Sequence, residues 1–304
     1  MHWKLPEPHA VLEIDLDANN QVIIRQHGNR EGTRLLLSHG NGLAIDLYYP
    51  FWSKLEEEFE LLVYDLRNHG WNNVGKLENH TVFSMVTDLD RILHATNHHF
   101  GTKFTVGVYH SFSAMISLLL SSEVVTSGFT PMSNGFDGLV LFDPPLHIPG
   151  SDHSEFDEFV QRRARSIRKR QIYFESYEQF EELLDFQPLY SRVVPGVKAL
   201  IARSLLRQID EVSGLELRCP RQYEAHFVEY VTAYTEQADF DNLPCPTKIV
   251  GSDPLLPFTY LPTVDLSDVL TIDFDFIPDA SHYLQIEKPD KCAEYVREFV
   301  AQIT

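Results

Sequence analysis

Cysteine is scarce in this chain: Cys219, Cys245 and Cys292 are the only three in 304 residues. Their number is odd and their spacing matches no metal-ligand pattern, which excludes a disulfide framework and implies reduced, incidental thiols. Long apolar runs are missing too, since no stretch approaches the roughly 18 residues that a membrane-spanning helix needs. Residues 1–9 are polar and carry Pro6 and Pro8, so they lack the apolar region of a secretory signal, and a cytoplasmic location is expected. Positive charge is in short supply. Lysine and arginine total 25 against 44 aspartates and glutamates, a formal net charge of −19, which argues against nucleic acid or an anionic membrane as partner.

What is present reads as a folded α/β protein. Hydrophobic residues make up 43% and aromatics 12%, which excludes global disorder. The length fits one large domain, or a domain carrying an insertion. Residues 10–16 and 21–26 read as two strands around the turn-prone Asp17-Ala18-Asn19-Asn20. Strand and helix patterns then alternate: strands at 34–37, 60–64, 104–108 and 139–142, helices at 48–58 and within 82–97. Alternation of this kind predicts a mostly parallel sheet with helices on both faces, because parallel neighbours need crossover connections.

After Asp143-Pro144-Pro145 the rhythm breaks, and the next convincing strand is 247–250. About 100 residues occupy a place where a crossover needs only ~10–12. Helices are predicted there at 155–170, 177–184, 197–209 and 224–235. The expected division is a core of 1–146 and 244–304 with a helical cap inserted at 147–243. A final strand at 269–276 and a closing helix at 290–302 complete the core.

One junction carries the chemistry. In Val106-Gly107-Val108-Tyr109-His110-Ser111-Phe112-Ser113-Ala114, a β-branched strand runs into an apolar helix with Ser111 on the turn. A serine there is pushed outward, with helix amides beneath it. A hydroxyl needs a base to accept its proton. His282, after the last strand, is the base candidate, and Asp253, at the end of the strand before it, is the orienting acid candidate. Asp143 also ends a strand, but the two prolines after it suggest that it shapes the entry to the cap. Backbone amides of Asn41, in Ser38-His39-Gly40-Asn41-Gly42, and of Phe112 are the candidates for holding a developing oxyanion. Gly40, Gly42, Tyr109, His110 and Tyr283 are the further substrate-binding candidates.

Five segments in order resemble an α/β-hydrolase fold enzyme of the capped, lipase- or esterase-like kind. They are His39-Gly40-Asn41-Gly42, Asp65-Leu66-Arg67-Asn68-His69-Gly70, His110-Ser111-Phe112-Ser113, Gly251-Ser252-Asp253, and Asp279-Ala280-Ser281-His282 with Glu287-Lys288-Pro289. The resemblance implies an eight-stranded sheet and hydrolysis of small to medium carboxylic esters by a serine, histidine and aspartate, with no metal or organic cofactor. Two other readings stay open: cleavage of a carbon–carbon bond in vinylogous diketone acids, and a catalytically silent ligand-binding homologue. One position departs from the family pattern. Tyr109 stands two residues before the serine, where the family has glycine because strand and helix approach closely. Choosing Ser113 instead would put Met115 two places beyond it, a worse fit.

Several other features have bland explanations. His39 and His110 suit backbone bonding around their loops, and Asn72-Asn73 and His98-His99 suit the surface or loops. The segment 65–70 fits the rim of the site, without a chemical step. The basic run from Arg162 to Arg170 is either a solvated, salt-bridged helix face or a docking patch for an anionic substrate. Tyr173, Phe174, Tyr177, Phe180 and Phe186 are expected to shape an apolar acyl pocket.

Overall fold

Hydrophobic runs too short for helices become the strands of one sheet. The computed structural model describes residues 3–17, 20–120, 127–133, 135–146, 154–209, 214–235, 237–238, 243–256 and 272–304. Its main sheet has eight strands: β1 (Ala10–Asp17), β2 (Asn20–Gly28), β3 (Arg34–Leu37), β4 (Glu60–Tyr64), β5 (Thr105–His110), β6 (Gly138–Phe142), β10 (Thr247–Gly251) and β11 (Asp273–Phe276). Their spatial order is β1-β2-β4-β3-β5-β6-β10-β11. The β1–β2 and β2–β4 pairs are antiparallel, and the rest of the sheet is parallel. The inner strands β3 to β6 and β10 are buried at every residue, as a sheet covered on both faces requires.

Two hydrophobic layers cover it. On one face Leu36, Leu62, Tyr109 and Leu139 pack with α2 (Val82–Phe100) and α3 (Phe112–Leu120). On the other, Leu35, Val63, Val106 and Val250 pack with Trp52, Val296 and Phe299, the last two from the closing helix Pro289–Ile303. α2 starts where Thr81 Oγ1 accepts from the amide of Ser84 at 3.1 Å, a side-chain cap, and it stops at Gly101 with φ 84°.

The segment between β6 and β10 carries helices α4 (Ser154–Lys169), α5 (Tyr177–Asp185), α6 (Val197–Leu205) and α7 (Arg221–Thr235). It also carries a small antiparallel sheet that the periodicity did not predict: β7 (Tyr173–Phe174), β9 (Leu215–Leu217) and β8 (Leu206–Gln208), in that order. The helix expected over 197–209 therefore ends at Leu205, and its last residues pair with β9. The helix expected over 48–58 is shorter as well. A single turn, α1 (Tyr49–Trp52), gives way to turn bonds such as Lys54 N to Phe51 O, which drop Leu55 and Phe59 into the core. The turn at 18–19, the first cap boundary at 147 and the start of the predicted strand at 269–271 lie outside the described residues.

Candidate active site

The candidate side chains stand on loops at the carboxyl ends of β3, β5, β6 and β11, where sites gather in parallel sheets. Ser111 follows β5 directly and has φ 52°, a left-handed backbone that a non-glycine residue adopts at a cost. Its amide is held by Phe142 O at 2.8 Å, and its carbonyl accepts from Met115 N at 3.1 Å. The neighbouring Ser113 is not available in the same way, because its Oγ donates to His110 O at 3.0 Å and accepts from His110 N at 3.1 Å.

His282 follows β11, and its Nδ1 is paired with Asp143 Oδ2 at 2.6 Å. This corrects the expectation for Asp253. The reason lies in strand order: β6 sits between β5 and β10, so the residue after β6 is one strand from Ser111, while Asp253 is two strands away. Asp253 instead closes turns, accepting from Leu255 N at 2.9 Å and from Asp279 N at 2.8 Å. Asp143 is fully buried with φ 43°. Its Oδ1 takes both the amide and the hydroxyl of Ser252 at 3.0 Å.

Three loops are tied together by one chain of hydrogen bonds. The amide of Gly40 donates to Tyr48 Oη at 3.3 Å, and that hydroxyl donates to His110 Nδ1 at 2.7 Å. His110 Nε2 then donates to the carbonyl of His282 at 2.7 Å. The two imidazole rings lie 4.7 Å apart, centroid to centroid. Burial, and secondarily the nearby His282, holds the His110 pKa well below its ordinary value, so the ring stays neutral and can accept at one nitrogen while donating at the other. A Cβ placed on Gly40 would stand 3.2 Å from Ser111 Cβ, so loop and elbow touch.

The loop after β3 distributes its amides. Gly40 N goes to Tyr48, Leu43 N returns to Gly40 O at 3.1 Å, and Gly42 N donates to His69 Nε2 at 3.0 Å. Among the described residues, the amide of Asn41 has no acceptor given to it by this loop. That of Phe112, first in α3, has no intrahelical acceptor. His69 Nδ1 donates to Arg67 O at 2.8 Å. Burial, followed by the influence of His39, pushes its pKa down to about 3, which keeps Nε2 an acceptor.

A cavity of about 520 Å³ opens above these groups, lined on the core side by Gly40, Asn41, Gly42, Ser111, Phe112, His282 and Tyr283, a size suited to a small molecule. The inserted segment supplies the opposite wall, including Phe159, Phe180, Tyr190 and Phe227. It also reaches the loop after β3. Asn41 Nδ2 donates to Glu224 O at 2.8 Å, and the Glu224 carboxylate fills the space beside Gly42, where a Cβ would meet Cδ at 2.5 Å. With φ at 74°, position 42 admits glycine on both counts.

Some expected lining residues lie elsewhere. Tyr109 is buried beneath the sheet, 6.4 Å from Tyr64 and 5.7 Å from Phe136 between ring centroids. Its ring folds over Gly107, where a Cβ would stand 2.6 Å from Tyr109 Cε2. The glycine two residues earlier, on the same strand face, thus makes the room for the tyrosine. His110 is wholly buried and bonds loops rather than bordering the cavity. Of the five aromatics assigned to the acyl pocket, Phe180 borders it, whereas Tyr173 and Phe186 are exposed. Asn72, expected at the surface or in a loop, is a buried loop residue that donates to Asp65 O and Leu66 O. The sequence offered no signal for the roles of Tyr48 and Glu224, since both act through contacts distant in the chain.

Residues 35–295 match the sequence model of a family described as the alpha/beta hydrolase family. No curated protein matches the chain in sequence. Among solved structures, an E-2-(acetamidomethylene)succinate hydrolase superposes with a TM-score of 0.75 at 17% identity, covering 96% of this chain and 99% of its own. The thioesterase domain of the curacin biosynthetic pathway gives 0.68 at 15% identity, covering 95% and 100%. A thermophilic esterase from Thermogutta terrifontis gives 0.63 at 20%, covering 97% and 99%. Likeness at these identities concerns the fold.

Proposed function

Because this chain belongs to the α/β-hydrolase family, we propose that it is a serine hydrolase of small to medium carboxylic esters acting through Ser111, His282 and Asp143. The observation that carries this reading is the 2.6 Å pairing of His282 Nδ1 with Asp143, on a ring that shares a cavity with the strained Ser111. With Nδ1 committed to Asp143, proton transfer falls to Nε2. Ser111 Oγ attacks the ester carbonyl as His282 takes its proton. The tetrahedral oxyanion is held by the amides of Asn41 and Phe112, each donor supplying about 2.7–4 kcal/mol. The imidazolium then protonates the leaving alkoxide, and water attacks the acyl-enzyme with His282 again as base, releasing the acid. Esterase and thioesterase relatives in fold are consistent with acyl transfer.

The test is labelling by a fluorophosphonate probe together with turnover of p-nitrophenyl esters. Wild type is expected to label and turn over, and Ser111→Ala to do neither. Labelling that survives the substitution would remove Ser111 from the reaction. Much faster cleavage of a vinylogous diketone acid than of any ester would replace ester hydrolysis with carbon–carbon bond hydrolysis.

A further inference from the structure

Tyr48 ends the turn Ile45–Tyr48 that follows the loop after β3, and its hydroxyl stands where the loops of the site meet. Burial raises its phenol pKa, so the oxygen keeps its hydrogen. It accepts the amide of Gly40 at 3.3 Å and lies 2.7 Å from His110 Nδ1. The hydrogens along this line are dictated by its far end. The carbonyl of His282 can only accept, so His110 Nε2, 2.7 Å away, must carry a hydrogen. Burial keeps the His110 ring neutral, which leaves Nδ1 an acceptor and makes Tyr48 its donor. Gly40 leaves room for that bond, since a Cβ there would stand 3.0 Å from His110 Nδ1. Tyr48 and His110 are both buried, and a hydrogen bond in such surroundings is stronger than in water.

The pairing of His282 Nδ1 with Asp143 fixes the ring, and the bond to the carbonyl of His282 fixes the backbone that carries it. In the other tautomer, His110 Nε2 would turn a lone pair toward that carbonyl and repel it. We propose that Tyr48 is a positioning residue: its hydroxyl sets the tautomer of His110, and through that ring it holds His282 in reach of Ser111. The proposal deepens the serine-hydrolase reading and rests on it. A misplacement of about 1 Å can slow a reaction about a hundredfold. A hydroxyl outside the cavity lining thereby governs the chemical step rather than the binding of substrate.

The experiment measures kcat and KM for p-nitrophenyl butyrate in wild type, Tyr48→Phe, His110→Leu, His110→Gln, the double variant Tyr48→Phe with His110→Leu, and Tyr64→Phe. Tyr48→Phe should lower kcat by about ten- to a hundredfold, with KM within about twofold of wild type. His110→Leu should lose at least as much, and His110→Gln less, because an amide can accept and donate in place of the ring. In the double variant the losses should fall short of multiplying, as for two members of one line. Tyr64→Phe makes the same change at an equally buried tyrosine and should keep kcat. A kcat within about twofold of wild type in Tyr48→Phe, losses that multiply in full, or an equal loss in Tyr64→Phe overturns the proposal. Nitrogen magnetic resonance of isotope-labelled histidine reads the tautomer without turnover. The His110 signal, identified by its loss in His110→Gln, should show hydrogen on Nε2 in wild type and a changed tautomer population in Tyr48→Phe. Hydrogen on Nδ1 in wild type, or a signal unchanged in Tyr48→Phe, overturns the proposal as well. Should Tyr48→Phe fail to melt cooperatively, the wild-type tautomer and the comparison of the two His110 variants decide, and His110→Gln no better than His110→Leu ends it. Wild type that neither cleaves the ester nor takes a fluorophosphonate overturns the hydrolase reading instead, and the spectrum still decides the tautomer.

Discussion

Asp143 serves two loops with one carboxylate, since Oδ2 takes the imidazole of His282 while Oδ1 takes the amide and hydroxyl of Ser252. Asp143→Asn keeps the size of the side chain but favours the wrong tautomer of His282. A loss of about 10⁴ in kcat is expected, the scale found when a histidine-orienting carboxylate is removed. Asp253→Asn should cost less than about tenfold, because among the described residues that side chain holds backbone amides. Steady-state kinetics of the two variants check this, and the reverse ranking would return the acid to Asp253. The positions of Ser111, His282 and the glycine-rich loop were legible in the sequence because each sits beside a short apolar strand. The carboxylate that pairs with His282 was not, because two aspartates end neighbouring strands and only the spatial order of β6 and β10 decides between them. Tyr109 misleads for a related reason: the space it needs is opened by Gly107, outside the motif.

At the scale of elements, Arg34 on β3 joins strand and helix. It meets Glu60 of β4 at 3.0 Å and donates to the carbonyls of Gly101 at 2.8 Å and Phe100 at 3.2 Å, satisfying the end of α2, where carbonyls lack intrahelical donors. Both members of the ion pair are buried. Glu60→Ala would leave a buried guanidinium without its carboxylate. A loss of about 3–5 kcal/mol is expected, the usual consequence of breaking such a pair from one side, and chemical denaturation would measure it. A change below about 1 kcal/mol would overturn this, showing that Arg34 and Lys103, which also meets Glu60 at 3.1 Å, do without that carboxylate. The long strands and helices were legible because burial on both faces imposes continuous apolar runs and burial on one face imposes a helical period. The β7-β9-β8 sheet was not, since strands of two or three residues are too short to show a period and exist through pairing with each other.

Across the whole molecule, burial keeps several imidazoles neutral. His27 is lowered to about 4 by burial and then by Arg25, His69 to about 3 by burial and then by His39, and His80 to about 2 by burial and then by His69. His110 is also held well below its ordinary value. In the unfolded chain each titrates near 6.5, so below that pH the unfolded state binds more protons than the folded one. The stability these groups contribute is complete above about pH 6.5 and drains away as pH falls toward 4. The melting temperature should therefore drop progressively between pH 6.5 and 4.5, by several degrees in all. A scan that stays flat across this interval would refute it.

The inserted segment grips the core at several points, among them three on the loops after β3 and β4: Glu224 O holds the side chain of Asn41 at 2.8 Å, Gly70 O takes Arg218 at 3.0 Å, and Gly75 O takes Tyr223 at 2.6 Å. The first grip falls on Asn41, the residue whose amide is proposed to hold the oxyanion. Roof and machinery are thus one piece. On the proposed mechanism, a version of this chain stripped of its cover would not be a more open catalyst but one whose anion-stabilising loop had lost its brace.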